Sequence, residues 1–376
     1  MPLPIAIFHE HPEWFRPLFA ELDRRGIPYE RIDAAEHFYD PAEASVPYSL
    51  VFNRASPSAY LRGRGQTTFH TLHWLRHLER IGVPVVNGSR AYEVETSKAW
   101  QLDLLHGLGF AYPRARVINS GSQAVAAARG LRYPVLVKAN VGGSGAGIER
   151  FDSEEQLQAA AEAGTLDLGV DHTALVQELA PLRGGHITRV ETLGGKFLYA
   201  INVYPAQGSF DLCPADACQT TTGVELVRGA CAIDAPKTGL RVERADPPAE
   251  LVRQIEATVQ AAGIDVGDEV REGVHVVGFD PFVRLVDYLE ARLVAGDGKR
   301  AGVEPNLVTG HSSLAEEEDA LLVTEDGGAV ARRDTATGSP SSAGGSATCP
   351  TRGWTRRGST RSGWRSAASR SATTSR

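Results

Sequence analysis

A chain of 376 residues, 42% of them apolar, has room for two or three domains of ordinary size, and no run of about 18 apolar positions offers a helical membrane span. Four cysteines are too few for a disulfide framework and the start lacks a basic, cleavable apolar leader, so the expected compartment is the reducing cytoplasm. The net charge of −7 is uneven: residues 331–376 carry nine Arg and one Asp, net +8, which leaves −15 on residues 1–330 and argues against nucleic acid as that body's partner.

In chain order, residues 5–8 read as a strand and 14–25 as a helix with Phe15, Leu18, Phe19 and Leu22 on one stripe, closed by Gly26. Strands at 27–32, 49–54 and 83–87, with a helix over 67–81, predict a small parallel sheet in which Arg54 stands at a strand's carboxyl end. A lone arginine there suits either a substrate carboxylate clamp or a surface ion pair. A helix over 93–108 carrying Lys98, a strand at 116–118 and a short helix over 122–128 come next. Ser153 and Gln156 make a capping box for a helix that Gly164 closes. A strand at 175–179, a hairpin at 187–203 turned by Gly194 and Gly195, and amphipathic helices over 249–262 and 282–293 complete the pattern.

The most informative stretch lies between these elements. Val135, Leu136 and Val137 form a short apolar strand that delivers Lys138 at its end. Gly142, Gly143, Gly145 and Gly147 follow, separated only by Ser144 and Ala146, before a second strand at 148–151. A bare backbone of this kind approaches an anion closely and points several N–H groups at it. The lysine precedes the glycines and a hairpin follows them, so this is not the Walker loop, in which the lysine comes after the glycines and opens a helix. The alternative is a glycine-rich hairpin with no ligand.

Taken together, Val86-Asn87, Lys98, residues 134–148, Val176-Gln177-Glu178 and Ile187-Thr188-Arg189 resemble the ATP-grasp superfamily, in particular its carboxylate–amine ligases related to glutathione synthetase and the α-L-glutamate ligases. The resemblance covers roughly residues 3–265, with a further patch at 276–293. It implies an α/β architecture: a parallel-sheet pre-domain over 1–92 and a nucleotide clamp in two subdomains, 93–172 and 173–295; composition adds a low-complexity, mostly disordered tail over 296–376. It also implies ATP and Mg²⁺, a small amino-acid or peptide substrate, no nucleic acid or membrane partner, and leaves a homo-oligomer open. In that reading Lys98 and Lys138 neutralise the nucleotide phosphates, and the flap of Gly142, Gly143, Ser144, Gly145 and Gly147 closes over them. Gln177, Glu178 and Leu179 line the adenine slot with a backbone acceptor and donor, Arg189 reaches the transferring phosphoryl group, and Arg54 holds substrate.

The metal site departs from that pattern. After the helix over 249–262 the chain runs directly into Asp265, Asp268 and Glu272, and the two-strand segment expected to hold carboxylate ligands is missing. Glu304 and Asn306, with Asp287 upstream, have suitable residue types as a substitute. The polar loop around Cys213 and Cys218 offers substrate selection or an ordinary connection. From 331 onward no Ile, Leu, Val, Phe, Tyr or Met remains to bury a core, a composition that a shifted reading frame of a GC-rich gene also yields. Three functions stay open on these residues: the ligase, impaired or not, a catalytically silent ATP-binding protein, and a phosphotransferase without an amine acceptor.

Overall fold

Alternation of apolar side chains along the first strands divides the N-terminal core in two. In the computed structural model, which describes residues 3–143, 147–204, 241–267 and 274–296, β1 (Ile5–His9) lies between β2 (Tyr29–Asp33) and β3 (Leu50–Arg54), with β4 (Val85–Val86) outermost. All three pairings are parallel. Ile5, Ile7, Leu50 and Phe52 face α1 (Arg16–Arg25), whereas Ala6, Phe8 and Val51 face α2 (Gln66–Arg80). Gly26 ends α1 in the left-handed conformation, its N–H donating to Leu22 and Asp23 carbonyls. With neighbours leaving β1 on both sides, the strand order opens a crevice at the carboxyl ends of β1 and β3.

The predicted helix over 93–108 is two helices, α3 (Ser89–Thr96) and α4 (Lys98–Gly107). Ser97 breaks them with an extended backbone, and its hydroxyl accepts the Trp100 N–H, because serine caps a helix better than it continues one. Lys98 is therefore the first residue of a helix, not part of its middle.

Beyond it, β5 (Ala115–Ile118), α5 (Ala124–Ala128), β6 (Val135–Ala139), β7 (Ile148–Phe151), α6 (Glu154–Ala163) and β8 (Ala174–Glu178) form an antiparallel sheet in the order β5-β8-β6-β7. Val135, Val137, Ala174 and Val176 bury one face of it against α5 and α6. A third sheet pairs β9 (Ile187–Leu193), β10 (Lys196–Tyr204) and β11 (Arg241–Ala245) in the order β11-β10-β9, and α7 (Ala249–Ala262) clips the hairpin when Glu256 accepts from Lys196 Nζ and the Phe197 N–H, both at 2.9 Å. The short α8 (Val274–Val277) follows. Among the described residues no helix is long and apolar enough to cross a membrane.

The last helix, α9 (Pro281–Gly296), was expected within the third unit, 173–295. Its stripe of Phe282, Leu285, Val286 and Leu289 instead joins the core of Ile5, Ile7, Leu50 and Phe52 beside α1. Arg25 closes this contact, donating to Asp287 at 2.8 Å, Glu290 at 2.5 Å and the Val283 carbonyl at 3.1 Å. One helix leaves a face of that sheet partly bare, and a second amphipathic helix covers it. Leu289 is fully buried there, so Leu289→Ala is expected to lower the unfolding free energy by about 3 kcal/mol. Arg284→Ala, at an exposed position of the same helix, should change it little. Equal urea midpoints for the two variants would rule out this docking.

Candidate functional site

Strand alternation that sends Val135 and Val137 into the core turns Leu136 and Lys138 to the opposite face, together with Leu175 and Gln177 of β8, which stand directly across from Lys138 and Leu136. Lys98 reaches this region from the start of α4. Its Nζ donates to the carbonyls of Asn140 at 3.2 Å and Gly142 at 3.0 Å, at the root of the glycine hairpin. Burial pushes the Lys98 amine down from the usual 10.5 to about 8, with Asp171 opposing. Burial, and after it the charge of Lys98, push Lys138 down to about 8 as well. Two part-buried ammonium groups that sense each other form a site short of negative charge.

Asn140 holds the arrangement together. Its Oδ1 accepts from the Ala99 N–H at 2.9 Å and the Ser97 hydroxyl at 3.1 Å, its Nδ2 donates to Asp171 at 2.8 Å, and its N–H donates to the Thr173 carbonyl at 2.8 Å. The asparagine thus couples the end of β6, which carries Lys138, to the first turn of α4, which carries Lys98. From the first sheet, the turn Pro57–Arg62 brings in Tyr60. A methyl group placed on Gly142 would lie 3.1 Å from Tyr60 Oη and 3.6 Å from Lys98 Nζ, so the phenol and the amine share one side of the hairpin root. Burial, then the charge of Asp167, raise the Tyr60 pKa and keep it a donor. Asn140, Asp171 and Tyr60 were not singled out from the sequence. The one local signal for them was an asparagine directly between the strand lysine and the glycines.

Of the other expected residues, Gly142, Gly143 and Gly147 are described, and Ser144 and Gly145 lie outside the described residues. Glu178 is buried with its carboxylate locked by the Arg132 backbone N–H at 3.0 Å and guanidinium at 3.0 Å, and by Arg114 at 3.4 Å; the Arg132 N–H is the main reason its pKa is lowered. The backbone donor expected of this strand does not come from Glu178 or Leu179. Their N–H groups are already committed to the carbonyls of Arg114 at 2.9 Å and Pro134 at 3.0 Å, because β8 is central and its pairing continues past its end.

Arg189 stands on β9 with its guanidinium 3.6 Å from the buried Glu191 carboxylate. Arg54, between the rings of Phe15 and Phe52, donates to the Gly267 carbonyl at 3.4 Å. Gly267 is packed so closely that a methyl there would meet Glu191 Oε2 at 3.2 Å, and its N–H donates to Thr192 at 3.0 Å. Arg54 and Arg189 therefore reach the same Glu191–Gly267 junction from two different sheets.

Asp265 is not free to ligate metal as the sequence allowed. Its carboxylate accepts from the Tyr288 hydroxyl at 2.9 Å and the Asn87 N–H at 3.3 Å, and Arg292 lies 3.8 Å away. Asp287 pairs with Arg25 on the far helix. Glu304, Asn306, Asp268, Glu272, Cys213 and Cys218 lie outside the described residues. Among the described residues no group of three or more His, Cys, Asp or Glu is placed to hold a metal ion.

No protein-family model matches the sequence, and no curated protein matches it significantly. Solved structures do. The ATP-grasp ligase PsnB, complexed with a minimal precursor, superposes with a TM-score of 0.53 at 16% identity, over 79% of this chain and 100% of that one. The D-cycloserine synthetase DcsG gives 0.52 at 16% identity, over 77% and 99%. The chain has the ATP-grasp fold. D-alanine–D-alanine ligase from Bacillus anthracis, complexed with ATP, is similar at 0.50 and 13% identity, over 80% and 99%. At these identities the likeness to ATP-grasp ligases is one of fold.

A lysine titrating near 8 in the folded chain and near 10.5 unfolded binds fewer protons when folded, so stability rises with pH across that window. The charged amine of Lys138 thus opposes folding at neutral pH. Lys138→Met is expected to be about 2 kcal/mol more stable than the parent at pH 7, with the gap closing towards pH 10. Denaturant titrations at both pH values check this, and a variant less stable at pH 7 would contradict it.

Proposed function

We propose that the chain is an ATP-dependent carboxylate–amine ligase acting on a small amino acid or peptide in the cytoplasm. The observation that carries the reading is the pair of part-buried ammonium groups, Lys98 and Lys138, gathered at the root of a glycine-rich hairpin on an ATP-grasp fold. Solved relatives of the fold are described as ligases or synthetases, and one PsnB structure carries Mg and ADP.

In this reading the substrate carboxylate oxygen attacks the γ-phosphorus of ATP, the bond to the β–γ bridging oxygen breaks, and ADP leaves an acyl phosphate. The amine then attacks the acyl carbon, and after proton loss inorganic phosphate departs. Such a transfer is governed by positioning and charge neutralisation. Lys98 and Lys138 balance the phosphate charge, the N–H groups of the hairpin from Gly142 to Gly147 cover the phosphates, and Arg189 offers a forked donor to the acyl phosphate. Arg54 takes the substrate carboxylate, in exchange for its present acceptor, the Gly267 carbonyl. Mg²⁺ belongs to this chemistry in general, where it would add charge neutralisation at the phosphates, and Glu304 and Asn306 are its candidate ligands here.

A second reading, a catalytically silent ATP-binding protein, is favoured by one observation: Asp265, a carboxylate in the region where ligands were expected, is consumed by Asn87, Tyr288 and Arg292. Equilibrium ATP binding beside magnesium-dependent ADP and phosphate release on a panel of amino acids and short peptides separates the two. Phosphate release that depends on an amine marks the ligase, and binding without turnover marks the silent protein.

Lys138→Met is expected to weaken ATP binding about tenfold to a hundredfold. The affinity of the parent should fall as pH rises through about 8, where both amines lose their charge, and binding near that pH should take up protons because the phosphates hold the amines protonated. Calorimetry in two buffers of different ionisation heat reads the uptake. An affinity that is flat from pH 7 to pH 9.5 would remove the lysines from the site.

A further inference from the structure

The first sheet reaches the glycine hairpin through the turn Pro57–Arg62, which follows β3. Ser56 caps this turn, its Oγ accepting the Ser58 N–H at 3.1 Å, and Gly63 closes it in the left-handed conformation, its N–H donating to the Ala59 and Tyr60 carbonyls. A methyl group on Gly65 would meet Val170 Cγ2 at 3.0 Å and Tyr60 Cβ at 3.3 Å, and one on Gly143 would lie 3.8 Å from Ser58 Cβ. The turn is therefore packed between the hairpin and the loop that leads into β8, and the place of Tyr60 is fixed from both sides.

The Tyr60 hydroxyl has no hydrogen-bond partner among the described residues, although Gly142 and the Lys98 amine are beside it. Burial, and then the charge of Asp167, raise its pKa, so the phenol remains a donor through the range in which Lys98 titrates. An O–H donor without an acceptor, next to a part-buried ammonium, is matched by an anionic oxygen. Which oxygen follows from the side on which the turn lies. In the reading above, the substrate carboxylate sits at Arg54, the last residue of β3, and attacks the γ-phosphorus. The transferring phosphoryl group is then the part of the nucleotide nearest the first sheet, and Tyr60 comes from that sheet's own turn, whereas Lys138 approaches from the second sheet.

We propose that Tyr60 is the residue that distinguishes ATP from ADP, its hydroxyl donating to a γ-phosphoryl oxygen beside Lys98. The inference rests on the nucleotide reading above and adds the group that senses the terminal phosphate. ADP has no oxygen at that position, so the contact is present before phosphoryl transfer and absent after it. The same contact makes the hold on the triphosphate depend on the first sheet as well as on the two lysines.

The test is equilibrium binding of ATP and of ADP, with magnesium, to the full chain and to Tyr60→Phe, which keeps the ring packed against Gly65 and removes only the hydroxyl. The parent is expected to prefer ATP over ADP by about tenfold to a hundredfold, the range of a hydrogen bond to a charged group. Tyr60→Phe should lose that preference through weaker ATP binding, with its ADP affinity within about twofold of the parent's. Because the hydroxyl has no partner in the free chain, the urea midpoints of parent and variant should agree. A parent that binds ATP and ADP equally overturns the role of Tyr60 without recourse to the variant. An equal loss for both nucleotides in Tyr60→Phe, or no loss for either, overturns it as well; in each of these cases ATP binding that still depends on Lys138 leaves the nucleotide site standing. Failure of the parent to bind either nucleotide overturns both.

Discussion

Two lysine amines are kept partly out of water within reach of each other's charge, and no nearby carboxylate is paired with either one by a salt bridge among the described residues. Such a placement is unfavourable on its own, since burial disfavours the charged form and like charges add to the effect. It persists because the surroundings over-determine it. Asn140 uses its carbonyl, amide and backbone groups to fix the strand that bears one lysine to the helix start that bears the other. The Lys98 ammonium, lacking an anion, spends its donors on backbone carbonyls at the hairpin root. A local cost in stability of this kind is what a pre-organised binding site carries.

Each of the three sheets, or the turn that follows it, contributes candidate residues. The first sheet sends Tyr60 to the hairpin root and Arg54 towards Gly267. The second carries Lys138 and Gln177 on its open face, and the third carries Arg189 beside Glu191. Asn87, in the left-handed conformation at φ 56°, ties the first sheet to the chain after α7: its Oδ1 accepts from the N–H groups of Asp265 and Val266, and its Nδ2 donates to the Val266 carbonyl. This junction sets where Gly267, and with it the contacts of Arg54 and Glu191, can lie.

Local chemistry made part of this legible from the sequence. Lys138 followed by four closely spaced glycines, Gly26 and Gly164 at helix ends, and the Gly194-Gly195 turn all act within a few residues of themselves, and the structure has each element where its pattern lies. What depended on distant contacts was not legible. The Asn140 contacts span 31 to 43 residues, and no periodicity announces them. The break at Ser97 was hidden by a continuous helical pattern, although its neighbours Thr96 and Lys98 differ little from those of a mid-helix serine. The apolar stripe of α9 was plain, but its destination was not, because a stripe states that a face is covered without naming what covers it. The same holds for the backbone at Glu178 and Leu179, whose N–H groups are claimed by partners that only the pairing of β8 reveals.

The seating of α9 against α1 also bears on how the chain reaches its native state. During synthesis the parallel sheet emerges early, with Ile5, Ile7, Leu50 and Phe52 shielded on that side by α1 alone until some 230 further residues have been made. Contacts of such sequence separation form late and slow the search, and until they form an apolar surface is open to chaperones or to other copies of the chain. The apolar face of the N-terminal layer is therefore completed only by a helix from the opposite end of the described chain.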